Sequence, residues 1–119
     1  ELTKNEYAKI EKLSYFGDPS LVYDVSISRY EGILYFPAAV IRDGRMLFYY
    51  NGGYGKKIPD EAALKKIITE ALADQKKYVV IIATDIDGFV AKAEKIKAPS
   101  DEFVGADEKI RNRLYELGI

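Results

Sequence analysis

Any chemistry in this 119-residue chain has to come from carboxylates, amines and hydroxyls, because it contains neither histidine nor cysteine. Disulfides, thiolate nucleophiles, Cys/His zinc sites, Ser-His-Asp triads and imidazole acid–base work are excluded within the chain. What remains is Asp, Glu, Lys, Tyr, Ser and Thr, or a metal held by oxygen ligands alone. Three groupings stand out. In Thr84-Asp85-Ile86-Asp87-Gly88 two carboxylates lie two residues apart directly after an apolar run. At a strand's C-terminal end they can converge on one Mg²⁺, and Gly88 lets backbone approach a ligand. In Asn51-Gly52-Gly53-Tyr54-Gly55-Lys56-Lys57, glycines, backbone N–H groups and two lysines make a candidate anion nest ahead of a helix. It lacks the spacing of a P-loop. The third grouping is aromatic: Tyr7, Tyr15, Tyr23, Tyr30, Tyr35, Tyr49, Tyr50 and Tyr54 are eight of the ten tyrosines and fall in the first 54 residues. Tyrosine joins an apolar body to a polar tip and is enriched at contact surfaces.

Charge and length narrow the partners. Basic and acidic residues number 18 and 19, so the total carries no nucleic-acid footprint. The pairs Lys56-Lys57, Lys65-Lys66 and Lys76-Lys77 are dispersed and read as solvated faces. No apolar run approaches the ~18–20 residues of a transmembrane segment. The length suits one domain, able to fold without disulfides or a structural metal, and no cofactor is expected. The chain opens on Glu1 rather than Met. This suggests a removed leader or a domain cut from a longer protein, and favours a mature exported protein over a cytoplasmic one.

The elements that must position these residues follow from periodicity. Thr3 and Glu6 form a capping box for a helix from Leu2 to Leu13, with Leu2 and Tyr7 as its staple and Tyr7, Ile10 and Leu13 on one face. Gly17, Asp18 and Pro19 break the chain. From Leu21 to Arg29, Leu21, Tyr23, Val25 and Ile27 alternate with Asp24, Ser26 and Ser28, which predicts a half-buried strand. A second strand runs from Ile33 to Ile41, at an edge or bulged because Pro37 cannot donate to a ladder. Asp43-Gly44 predicts a tight hairpin into Arg45–Tyr50, completing an antiparallel meander. Asp60 caps a helix whose apolar stripe is Leu64, Ile67, Ile68, Ala71 and Leu72. Tyr78 to Thr84 is continuously apolar and β-branched, the pattern of a central strand buried on both faces. Phe89 to Lys97 fits a strand pairing back on Tyr78–Thr84, or a helix with Phe89, Ala93 and Ile96 on one side; the strand is preferred. A final helix carries Ala106, Ile110, Leu114 and Leu117 on one face and stops at Gly118. Together these give an α+β class: a single, mostly antiparallel sheet of four to five strands with helices packed on one face.

Two resemblances bear on function. The Asp85-Ile86-Asp87-Gly88 stretch resembles the nucleophile motif of haloacid-dehalogenase-type phosphatases. That resemblance implies Asp85 as nucleophile and Asp87 as acid–base. Phe89 stands where that family prefers Thr, and the 31 residues after Gly88 are too few for the rest of such a doubly wound domain. A second, fold-level resemblance runs through Arg42–Gly52, the helix Glu61–Ala73, Ala83-Thr84-Asp85 and Leu117-Gly118-Ile119. It is similar in order to the periplasmic domain of ExbD/TolR-type energy-transduction proteins, although the stretch from Asp85 to Gly118 is longer than in that pattern.

The reading favoured is a non-enzymatic protein-interaction or assembly domain. Its contact surface is a tyrosine-rich sheet face carrying Tyr35, Tyr49, Tyr50 and Tyr54, and its partner is another protein or its own copies. Tyr49 and Tyr50 are adjacent on a strand and must point to opposite faces, so some aromatic surface would lie away from the helices. The alternatives are a carboxylate–Mg²⁺ enzyme acting on phosphate esters at Asp85 and Asp87, and an anion-binding module built on Gly52, Gly53, Tyr54, Gly55, Lys56 and Lys57.

Overall fold

Thr3 begins the first helix as its capping box predicts. The Glu6 amide donates to the Thr3 hydroxyl at 3.1 Å and the Thr3 amide donates back to the Glu6 carboxylate at 3.0 Å. This helix, α1, spans Lys4–Glu11. The strands β1 (Leu21–Arg29), β2 (Gly32–Arg42) and β3 (Arg45–Tyr49) follow as an antiparallel meander. The computed structural model describes residues 2–29, 32–51, 61–72 and 78–117. The glycine stretch Gly52–Lys57, the Asp60 cap, Lys76-Lys77 and Gly118 therefore lie outside the described residues. The chain resumes in α2 (Glu61–Ala71), β4 (Val79–Ala83), α3 (Ile86–Glu94) and α4 (Asp101–Leu117).

One open sheet holds the four strands in the order β1-β2-β3-β4, with β4 parallel to β3 and the other pairs antiparallel. The class and the sheet match expectation; the helices differ in covering both faces. On one face α2 and α4 bury Leu64, Ile68, Ile110 and Leu114 against Ile41, Met46, Phe48 and Ile82. On the other, α1 and α3 bury Ile10, Leu13, Phe89, Ala93 and Ile96 against Leu21, Val40, Leu47 and Ala83. Strand residues alternate between the two clusters, so nearly every position of β3 is buried.

This corrects two expectations. Phe89 to Glu94 is helical, within α3: Asp85 caps the helix, and Phe89 and Ala93, with Ile96 just past the Lys95 C-cap, supply the apolar stripe that the second sheet face needs. Strand β4 is at an edge rather than central. Its apolar run is covered on both faces only towards its C-terminal end, where Ile82 faces α2 and Ala83 faces α3; Val79, at its start, is exposed.

The two-residue turn between β2 and β3 has Asp43 at φ 49° and Gly44 at φ 77°, the paired positive angles of a type I′ hairpin. The turn is tied down on three sides. The Val79 amide donates to the Gly44 carbonyl at 2.9 Å, the Asp43 amide to Asp107 at 3.1 Å, and the Ser100 amide to Asp43 at 3.1 Å. A Cβ on Gly44 would stand 2.8 Å from the Phe103 ring, so both backbone and space require glycine there.

The β1–β2 ribbon contains an irregularity that the alternation of β1 conceals. Leu21 and Tyr23 face α1 and α3, whereas Val25 and Ile27 face α2 and α4. In β2, Ala38 and Val40 lie on the first of these faces, and Leu34 and Phe36 on the second. Both strands reverse their facing at one level, where Asp24, at φ 53°, lies opposite Pro37. Tyr23 pairs with Ala38 and Val25 with Phe36, so the register is the same on either side of the break. Each strand spends one residue there without turning a side chain over. Pro37 does sit at an irregularity, as its missing N–H predicts, but β2 is an inner strand. Its outer neighbour β3 pairs only from Ala38 onward, just past the proline.

Candidate functional site: an aromatic groove at the outer edge of the sheet

The tyrosines expected to form a contact surface are mostly interior. Tyr35, Tyr49 and Tyr50 keep 7%, 4% and 3% of their surface exposed, because a sheet covered on both faces buries both of two adjacent strand side chains. Tyr50 packs in the α2/α4 cluster beside Phe36, and Tyr49 packs on Phe89 in the other. The Tyr49 hydroxyl donates to the second oxygen of Glu6, so one carboxylate both caps α1 and ties it to β3. Burial, and then this bond, push the Tyr49 phenol well above its ordinary value. Burial raises Glu6, but its hydrogen bonds to Tyr49 and Thr3 outweigh that and hold it below the ordinary 4.5. Tyr54 lies outside the described residues.

Asp85 and Asp87 also have structural partners. Asp85 accepts from the Gly88 amide at 2.6 Å as the N-cap of α3, and Asp87, in the first helical turn, accepts from Lys9 at 2.7 Å. Both are exposed, and no cluster of three metal-ligating side chains occurs among the described residues. The buried carboxylate is instead Asp107 of α4, which accepts from the Tyr78 hydroxyl and the Asp43 amide. Burial, then that bond, raise the Tyr78 phenol. Nearby, the Arg42 guanidinium lies 3.9 Å over the Tyr15 ring, whose hydroxyl donates to the Ala93 carbonyl at 2.7 Å. Burial pushes Tyr15 up to about 12 although Arg42 opposes it.

The aromatic surface that remains accessible lies along β1, the outer strand. Tyr7 of α1 is 41% exposed, meets Phe16 edge-on with ring centres 5.9 Å apart, and lies 6.1 Å from the Tyr23 ring at 42°. With Leu2, Asp24 and Pro37 these tyrosines line an open depression of about 230 Å³. On the opposite face of the sheet Val22, Val25, Leu114 and Tyr115 line a second depression of about 150 Å³, whose Tyr115 is 56% exposed. Tyr23 and Asp24 line both. The two depressions therefore straddle the unpaired edge of β1 at the level where its facing reverses. Comparison with family models, with curated proteins and with solved structures finds no match.

The sequence gives little notice of this site. Tyr7 and Tyr23 belong to the tyrosine-rich region, but Asp24 reads as an ordinary solvent-facing strand residue and Pro37 as an edge marker. That the two lie opposite each other follows only from the hairpin register. Asp24 is exposed, and its Oδ1 accepts from the Tyr35 hydroxyl. Burial raises the Tyr23 phenol, and the neighbouring Tyr7 and Glu11 raise it further, so its hydroxyl stays protonated at neutral pH.

Proposed function

We propose that this chain is a non-enzymatic protein-interaction domain that docks an extended segment of a partner along the outer edge of β1. The observation that carries this reading is the pair of depressions meeting at Tyr23 and Asp24 on a strand that, among the described residues, is bonded on one side only. Successive side chains of an extended segment point to opposite faces, so neighbouring residues would enter the two depressions in turn, while the backbone lies against the strand edge. The left-handed Asp24 interrupts that edge and limits pairing to short stretches, which suits a specific guest and discourages open-ended sheet growth. The tyrosine-rich contact surface is thereby assigned to Tyr7 and Tyr23 with Phe16 and Tyr115, and not to Tyr35, Tyr49 and Tyr50.

Selection from a displayed library of random linear peptides tests the reading. Enriched peptides should shift the amide resonances of Leu21–Ser28 and lose affinity on Tyr23→Ala or Tyr115→Ala. Peptides that bind but shift only other parts of the chain would overturn it.

A further inference from the structure

We infer that the groove beside β1 selects a basic side chain, arginine or lysine, carried on the extended partner segment. The inference rests on the docking reading and adds the chemistry of recognition. The wall of the larger depression is aromatic: the Tyr7 and Tyr23 rings stand 6.1 Å apart at 42°, with Phe16 buttressing Tyr7 from outside the lining. Among the described residues, its single charged lining residue is Asp24. The Tyr35 hydroxyl occupies Asp24 Oδ1, which fixes the carboxylate, and Asp24 forms no ion pair among the described residues. Glu11 adds a second negative charge whose field reaches the Tyr23 hydroxyl.

The negative π faces of the aromatic wall, the held carboxylate and the charge of Glu11 all act in the same sense, in favour of a cation. A cation over a tyrosine ring and beside a carboxylate gains from both at once, whereas an acidic guest meets repulsion. Leu2 and Pro37 give apolar surface for the methylene stem of such a side chain. An arginine or lysine flanked by apolar residues, extended so that its neighbours reach Leu114 and Tyr115 on the other face, fits the arrangement.

The test uses two short, capped, β-prone peptides that differ at one central residue: arginine in one and citrulline, its uncharged isostere, in the other. Each is titrated into the full chain and followed by amide and aromatic resonances. The arginine peptide should shift the Tyr23, Asp24 and Val25 amides and the Tyr7 and Tyr23 rings, and should bind roughly tenfold more tightly than the citrulline peptide. The advantage should shrink as salt is raised. Asp24→Asn should remove most of it. Asparagine tolerates the left-handed backbone and still accepts from Tyr35, so this variant keeps the fold while losing the charge. Glu11→Gln, on the exposed face of α1, should reduce the advantage less. Equal binding of both peptides at these residues would overturn charge selection and leave the docking reading standing. If neither peptide perturbs 21–28, both fall. If tetramethylammonium alone saturates the groove and displaces the arginine peptide, a cation site is supported; if it leaves the rings unshifted, the aromatic wall plays no part in it.

Discussion

Glu6 shows how much one side chain can carry. Its Oε1 closes the capping box with Thr3 and its Oε2 accepts the buried hydroxyl of Tyr49, so α1 is joined to the sheet through the same carboxylate that starts the helix. Glu6→Ala should cost about 2 kcal/mol, one part from the cap and another from an unpartnered buried hydroxyl. Tyr49→Phe in the Glu6→Ala background should recover part of the loss, and a double-mutant cycle by urea denaturation would show coupling between the two positions. The carboxyl is held below its ordinary 4.5 in the folded chain, so its contribution is present above that pH and is lost as the pH falls below it. The acid limb of the parent's stability curve should therefore be steeper than that of Glu6→Ala. Strand tyrosines are harder to read than this cap. A capping box is a local pattern of four residues, legible in the sequence, whereas the burial of Tyr35, Tyr49 and Tyr50 depends on helices far away in the chain.

At the level of elements, the same division between local and distant causes recurs. The Asp43-Gly44 hairpin, the α2 stripe and the α4 stripe are visible as turn chemistry and 3.6-residue spacing, and all three form where expected. Residues 89–97 fit either period, and what decides them is the bare second face of the sheet, which Phe89, Ala93 and Ile96 cover. The reversal at Asp24 and Pro37 is invisible because the odd-numbered apolar residues continue in step through it while changing face. The cap of α3 gives a test. Asp85→Ala should lose about 1 kcal/mol of stability by thermal unfolding, while Asp85→Ser, which can still accept from Gly88, should lose much less. Asp87→Asn should change stability by about 0.2–1 kcal/mol at most, since its Lys9 partnership is solvent-screened. A larger loss at Asp87 than at Asp85 would contradict the roles assigned to them.

For the molecule as a whole, the two covered faces leave the sheet's accessible backbone at its two edges, β1 and β4. The phenols inside it set a limit at high pH. Tyr15 and Tyr49 pack with the α1/α3 face and Tyr78 with the other, and all three are raised above 10. A group whose folded value is raised contributes fully below its unfolded value and loses that contribution as pH rises beyond it. Stability should thus hold to about pH 10 and fall from there as Tyr15 approaches about 12. Absorbance titration should show the exposed tyrosines ionising first and the remainder only together with loss of the folded circular-dichroism signal. Smooth independent ionisation of all ten with the fold intact would contradict the buried set.

The matched irregularity of Asp24 and Pro37 also bears on how such a ribbon can change over generations. Deleting either residue alone puts one strand out of step with its neighbour. Deleting both together keeps every other pair aligned and, because neighbouring strand residues alternate, leaves Val25, Ile27, Leu34 and Phe36 on the side they now face. The two positions, thirteen residues apart in the chain, therefore behave as one heritable unit. An insertion at one becomes tolerable only when the other follows, and gaining or losing the pair is a route by which a hairpin can lengthen or shorten by one level while keeping its inner and outer surfaces and its partners.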